Sequence, residues 1–89
     1  MANPLETPET RLKRLRIRSW RRGTKEMDLI FGPWFDAEGA VLSSAELDAY
    51  EALLEENDWD LYYWVTGAQP CPEPKAPLID RIAAHHAMR

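Results

Sequence analysis

The residues best suited to recognition chemistry lie in the short stretch from Arg21 to Asp28. Arg22 offers a planar donor fork for a carboxylate or for backbone carbonyls, and the neighbouring Gly23 has no side chain to hold a partner's surface away. Glu26, one turn into a predicted helix, can orient Arg22 or reach a partner's cation. We therefore predict a partner-binding corner that is formed by Arg21, Arg22, Gly23, Glu26 and Asp28. The alternative is an internal Arg22–Glu26 pair that only staples two helices together, which would contribute about 0–1 kcal/mol at the surface.

The charge of the chain reverses at this corner. Residues 11–25 carry eight of the eleven basic residues and no acidic one, whereas residues 26–60 carry eleven carboxylates and no Lys or Arg. The net charge of −4 therefore conceals two large blocks of opposite sign. This layout favours a binding module whose partner presents both signs. A nucleic-acid patch on the basic segment and a generic helical interaction module are the alternatives.

No catalytic, cofactor-binding or metal site is predicted. The sequence contains none of the glycine-rich phosphate loops, zinc-binding motifs or nucleophile motifs that carry common enzyme chemistry. His85 and His86 are adjacent, so their rings would point to different sides of a helix. Cys71 lies between two prolines with Lys75 as its nearest cation, which does not favour a nucleophile. As the single cysteine it cannot form an internal disulfide, and this favours a reducing compartment.

Helices are expected to position the corner, and the predicted fold class is all-α, a compact bundle of four to five short helices. Helix one should run from Pro8 to about Arg21 with Thr7 as its N-cap, and Gly23 should close it in the left-handed conformation. Helix two should run from Lys25 to about Asp36. The Gly32-Pro33 pair inside it predicts a kink or a break, because proline removes a hydrogen bond and clashes with the preceding turn.

The second half of the chain gives similar signals. Gly39 is expected just past the end of helix two. Helix three, residues 43–56, has the clearest start, because its first four residues Ser-Ser-Ala-Glu form a capping box. Its acidic outer face is expected to be solvated. Helix four should cover residues 57–67, a Pro-rich strap residues 68–77, and a last helix should begin near Pro77.

These elements predict one domain, residues 1–89, with a flexible lead at residues 1–7. A single core is expected from the helical spacing of apolar residues. It should contain Leu15, Ile30, Trp34, Leu47, Leu54, Leu61 and Trp64. The aromatic cluster of residues 59–64 faces more than one direction, so one or two of its rings are expected to be exposed enough to anchor a partner.

The segment Arg21 to Leu29 resembles the Arg-Gly-x-x-Glu signature of the succinate dehydrogenase flavinylation factors, the bacterial SdhE proteins and their mitochondrial relatives. Arg22, Gly23 and Glu26 match the signature itself, and an Asp-Leu pair follows it. The resemblance spans about Arg11 to Gly67. Its further parts are the basic first helix, the run Leu53-Leu54-Glu55 and the spacing Asp58-x-Asp60-Leu61-x-x-Trp64.

The resemblance implies a five-helix domain that binds the flavoprotein subunit of succinate dehydrogenase, and in some bacteria that of fumarate reductase. It implies that the protein promotes covalent attachment of FAD to a histidine of that partner. The chemistry would be the partner's own, so the chain itself would bind no FAD and would not be an enzyme. The first ten residues are acidic and lack the composition of a mitochondrial presequence, so we expect a bacterial cytoplasmic protein.

Overall fold

The computed structural model describes residues 6–87, which form five α-helices and one short 3-10 turn. The helices are α1 (Pro8–Trp20), α2 (Lys25–Glu38), α3 (Ser44–Leu54), α4 (Asp58–Thr66) and α5 (Ala76–His85), and the 3-10 turn Gly39–Val41 follows α2. Residues 6–87 contain no β-strand, so the predicted all-α fold is confirmed. Of the predicted flexible lead, residues 1–5 lie outside the described residues, and Glu6 is ion-paired with Arg14.

Side-chain caps mark the starts of the first four helices. Each capping residue accepts a hydrogen bond from a backbone N–H that the helix itself leaves without a partner. The caps are Thr7, Thr24, Ser43 and Asn57, and Ser43 and Glu46 form the complete capping box that the sequence predicts. The helix starts were therefore predictable from local chemistry.

Helix α2 differs from expectation in two respects. It continues unbroken through Pro33 to Glu38, so the predicted break does not occur. A lost hydrogen bond is tolerated there because the helix is buried on much of its surface, including Phe31 and Trp34 on either side of the proline. Gly39 does lie just past the end of the helix, as expected, but its φ of −58° is right-handed and the backbone continues into the 3-10 turn. A Cβ at Gly39 would lie 2.8 Å from the ring of Phe35, so close packing explains the glycine.

Tyr50 lies at the centre of the core. Its ring stacks on Phe35 at a centroid distance of 5.0 Å and also contacts Phe31 and Trp34. Its hydroxyl lies 2.6 Å from Ser19 Oγ, and burial raises the pKa of the Tyr50 hydroxyl. The predicted core is confirmed apart from Leu47, which is only partly buried against it. The predicted residues that are buried are Leu15, Ile30, Trp34, Leu54, Leu61 and Trp64.

Ion pairs join α1 to α3. Arg11 contacts Asp48 at 2.6 Å and Glu51 at 3.2 Å, Arg14 contacts Glu51 at 2.9 Å, and Arg18 contacts Glu55 at 2.8 Å. The acidic face of α3 was expected to be solvated. This holds for Asp48 and Glu55, whose side chains are 66% and 71% exposed, but not for Glu51, which is only 15% exposed. The basic block of the sequence lies along this acidic face, so much of the charge is neutralised inside the protein.

The C-terminal part packs back on α2. Gly67, where the sequence predicts the end of helix four, closes α4 in the left-handed conformation with φ 82°. Residues 68–75 form bends and turns before α5, whose apolar face enters the core. Beyond α5, His86 Nε2 lies 2.7 Å from the carbonyl oxygen of Ile30 and so ties the chain to α2. Within residues 6–87, no helix combines the length and the apolar character that crossing a membrane requires.

Candidate functional site

A groove of about 530 Å³ lies between the loop after α1 and the start of α4. Its walls are formed by Gly23, Thr24, Glu26, Met27, Asp58, Trp59 and Tyr62. Two of the five predicted partner-binding residues, Gly23 and Glu26, are therefore in it. The other three, Arg21, Arg22 and Asp28, lie in the same corner but do not line the groove.

Arg22 is held inside the fold. Its side chain is only 9% exposed, and its Nε donates to Asp58 Oδ1 at 2.9 Å. The two terminal nitrogens donate to the carbonyl oxygens of Leu54 at 3.0 Å and Glu56 at 3.2 Å, and the guanidinium lies over the ring of Phe31. Arg22 does form an internal ion pair, but its partner is Asp58 and not Glu26, as the alternative had it. Arg22 joins the end of α1 to the end of α3 and the start of α4.

Asp58 shapes the loop that carries Gly23. One carboxylate oxygen pairs with Arg22, and the other accepts a hydrogen bond from the backbone N–H of Gly23. A Cβ at Gly23 would lie only 2.6 Å from Asp58 Oδ2. The expected left-handed conformation of Gly23 is wrong, since Gly67 is the one glycine with positive φ among residues 6–87. Gly23 is needed because a carboxylate approaches it closely.

Asp28 holds the other side of this loop. Its carboxylate accepts a hydrogen bond from the backbone N–H of Arg22, the second residue after the end of α1. Two carboxylates, from α2 and α4, therefore fix the backbone between Arg21 and Thr24. The loop that separates the two helices is preorganised, so a partner would meet it in one conformation.

The rim of the groove offers charge and aromatic surface to solvent. Glu26 is exposed and forms no ion pair within residues 6–87. Trp59 is 68% exposed, and Tyr62 is also exposed beside it. A carboxylate next to an accessible indole can bind a cationic or hydrogen-bond-donating side chain together with apolar surface.

Sequence reasoning found part of this site. The expectation that one or two rings of residues 59–64 are exposed is confirmed by Trp59 and Tyr62, while Trp64 is buried. Asp58 was missed as a functional residue. Asp58 was considered only as part of a helix start and of the spacing Asp58-x-Asp60-Leu61-x-x-Trp64. Nothing local indicates that it meets Arg22, 36 residues earlier.

The groove lies at the surface of a small helical domain and presents aromatic side chains, an arrangement that can anchor the surface of another protein. Residues 13–86 match the model of a protein family described as the flavinator of succinate dehydrogenase. The chain belongs to this family, which confirms the resemblance predicted from Arg22, Gly23 and Glu26.

Several relatives are named succinate dehydrogenase assembly factor 2, mitochondrial. The chain is 42% identical to that of Mycosarcoma maydis over 75% of this chain and 28% of the relative. It is 35% identical to that of Yarrowia lipolytica over 86% of this chain and 57% of the relative. The assembly factor 2-A of Drosophila yakuba is 34% identical over 93% of this chain and 52% of the relative. The chain thus spans about half the length of such relatives or less, and no solved structure matches it.

These names correct one expectation. The relatives are named mitochondrial proteins, so the prediction of a bacterial cytoplasmic location is contradicted. That prediction used the composition of the first ten residues, which proved a poor guide to location.

Proposed function

We propose that this chain is an assembly factor that binds the flavoprotein subunit of succinate dehydrogenase and promotes covalent attachment of FAD to it. Family membership supports the flavoprotein subunit as the partner, and the exposed groove between α1 and α4 supports a docking role. The flavoprotein of fumarate reductase is a second candidate client by the same resemblance. The observation that carries the proposal is the unpaired Glu26 beside the exposed Trp59 at one preformed groove.

The groove suits a protein side chain better than a flavin dinucleotide. Its walls carry the carboxylates of Glu26 and Asp58 and no Lys or Arg, so the two phosphates of FAD would meet negative charge there. An apolar side chain can pack against Trp59 while a neighbouring cation or N–H group binds Glu26. We therefore propose that FAD stays on the flavoprotein and that this chain contributes binding, not catalysis.

The five predicted partner-binding residues would then divide into two roles. Arg21, Gly23 and Glu26 are proposed to meet the partner. Arg22 and Asp28 are proposed to hold the loop in its docking conformation, because the guanidinium of Arg22 and the carboxylate of Asp28 are already bound inside the fold.

The nucleic-acid alternative loses support. Five arginines of the basic block pair with carboxylates of the same chain. They are Arg11, Arg14, Arg16, Arg18 and Arg22. Phosphate binding would have to break these pairs, and the acidic face of α3 would repel the backbone.

The test measures affinity for the purified flavoprotein subunit and the yield of covalently bound FAD. Trp59→Ala should weaken binding by at least about 2 kcal/mol, roughly 30-fold, as a centrally placed interface tryptophan does. Glu26→Ala should weaken it less. Both variants should keep the free energy of unfolding within about 0.5 kcal/mol of the wild type, since both side chains are exposed.

Matched controls are Val41→Ala and Glu73→Ala, which remove an exposed apolar side chain and an exposed carboxylate elsewhere. They should bind and support flavinylation like the wild type. If the double variant Trp59→Ala/Glu26→Ala also does so, the groove is not the docking site. If the wild type does not bind the flavoprotein, the proposed function itself is wrong.

A further inference from the structure

The face of α1 that points away from the core carries an exposed apolar residue among cations. At 3.6 residues per turn, Lys13 and Ile17 lie opposite the buried Leu15. Ile17 is 55% exposed. A single exposed isoleucine needs no explanation by itself, so its surroundings decide whether it has a role.

Ile17 borders a hollow of about 200 Å³ on the protein surface. The hollow is lined by Arg16, Ile17, Trp20 and Arg21. Asp36 fixes two of these walls, because it accepts hydrogen bonds from Arg16 Nε at 2.7 Å and from Trp20 Nε1 at 3.1 Å. Gly32 leaves room for the Trp20 ring against α2, since a Cβ there would overlap the ring. A ligand side chain would therefore enter a hollow that is already formed.

Two cations at or near this hollow have no ion pair among the described residues, in contrast to most of the basic block and to Arg16, which is bonded to Asp36. Lys13 and Arg21 are exposed and make no ion pair within residues 6–87. Lys13 lies one turn before Ile17, and Arg21 lies one turn after it, so two positive charges flank one apolar side chain. A ligand that matches this pattern carries carboxylates on both sides of an apolar group.

The hollow is also close to the docking groove. Arg21 lines the hollow and Gly23 lines the groove, and two residues of extended chain span at most about 7 Å. A partner that covers the groove and extends across this loop would contact the hollow as well. Both sites would then belong to one continuous interface.

We infer that the outer face of α1 is a second docking surface, which takes an acidic segment of the flavoprotein partner. An aliphatic or aromatic side chain of that segment fills the hollow beside Ile17, and its carboxylates bind Lys13 and Arg21. This inference rests on the proposed function. A protein segment fits better than a nucleic acid, because phosphates would leave the apolar hollow unfilled.

The test compares variants with matched changes of charge in their affinity for the purified flavoprotein subunit. Ile17→Asp should weaken binding about 10-fold or more, whereas Val41→Asp, an equal change at a residue that is 73% exposed elsewhere, should change it less than about twofold. Lys13→Gln/Arg21→Gln should weaken binding about 10-fold at low salt. Ala40→Glu/Gln69→Glu, which makes the same change in net charge at other exposed positions, should have a smaller effect.

Salt sharpens this comparison. The difference between the Lys13→Gln/Arg21→Gln variant and the wild type should shrink at high ionic strength, because contacts between exposed charges are screened. Equal effects of Ile17→Asp and Val41→Asp would overturn the second surface while leaving the groove intact. The second surface would also be overturned if Ile17→Asp lost the binding to anionic vesicles that the wild type shows but kept the wild-type affinity for the flavoprotein. A wild type that does not bind the flavoprotein would overturn the proposed function, and this surface with it.

Discussion

The α1–α3 contact draws its charged residues from both charge blocks of the sequence, whereas the groove beside Gly23 is lined by carboxylates of the acidic block alone. In the α1–α3 contact, Arg11 and Arg14 share the carboxylate of Glu51, whose side chain is only 15% exposed. At the groove, the exposed Glu26 has no ion pair among the described residues. One set of charges therefore stabilises the fold, and the other is left for a partner.

Arg22 shows that position in the sequence does not decide between these two uses. Arg21 and Arg22 are adjacent in the basic block, yet Arg21 is exposed while Arg22 is bonded inside the fold. The helix ends around Arg22 supply carbonyl acceptors that only a donor fork can satisfy together. An arginine beside the signature glycine can thus stabilise the fold directly and contribute to docking only by holding the loop in place.

The largest effect is expected for Arg22→Ala. It leaves the mostly buried Asp58 without its cation and the carbonyl oxygens of Leu54 and Glu56 without donors. The free energy of unfolding should fall by about 3–5 kcal/mol, as when one partner of a buried ion pair is removed. Urea or thermal unfolding measures this.

Arg21→Ala is the matched control, because it removes the neighbouring guanidinium from an exposed position. It should change the free energy of unfolding by less than about 0.5 kcal/mol. Equal stability of the two variants would show that Arg22 does not hold the helix ends, and the contrast between the two arginines would disappear.

A smaller loss is expected for Glu51→Gln, which weakens the α1–α3 contact. It removes the negative charge and replaces one acceptor oxygen with an NH2 group, which cannot accept from Arg11 or Arg14. Losing hydrogen bonds to a charged group costs about 1.5–3 kcal/mol at neutral pH. Glu73→Gln, at an exposed position outside this contact, should be neutral. If Glu51→Gln unfolds like the wild type, these ion pairs do not stabilise the fold.

The pH dependence provides a second measurement of the same contact. The hydrogen bond from Arg14 holds the pKa of Glu51 below its ordinary value. Because the pKa is lower in the folded state, the stabilisation is fully present above the unfolded pKa of about 4.3 and is lost as the pH falls through the folded pKa. The stability difference between wild type and Glu51→Gln should therefore narrow below about pH 4. A difference that stays constant down to acid unfolding would contradict this assignment.

The parts of the fold that depend on local chemistry were predictable. Caps such as Ser43 and apolar spacing such as that of Ile30 and Trp34 act within one or two turns, so the sequence alone displays them. The ion pairs could not be predicted, because Arg11 and Glu51 meet only when α1 packs on α3, 40 residues apart. For the same reason the sequence showed the blocks of basic and acidic residues but could not predict which residues form ion pairs.

The glycines show the same difference between features set by local sequence and features set by tertiary packing. Gly67 has positive φ at a helix end, which is a local property that the sequence signals well. Gly23 and Gly39 are required by the close approach of Asp58 and Phe35, and these contacts depend on tertiary packing. The signature around Gly23 predicted a partner-binding corner, and the structure supplies a physical reason for the glycine that the sequence does not show.

Among the variants that alter a contact within the fold, the smallest effect is expected for Gly23→Ala in the free protein. The added Cβ pushes the carboxylate of Asp58 away and weakens the hydrogen bond from the Gly23 N–H, which should cost about 1 kcal/mol in the free energy of unfolding. If that contact is the cause, the cost should vanish when Gly23→Ala is made in an Asp58→Ala background, where the carboxylate is absent. A double-mutant cycle measured by chemical unfolding gives this coupling directly. A penalty that persists unchanged without the carboxylate would mean that Gly23 is required by its own backbone, and that Asp58 does not shape the docking loop.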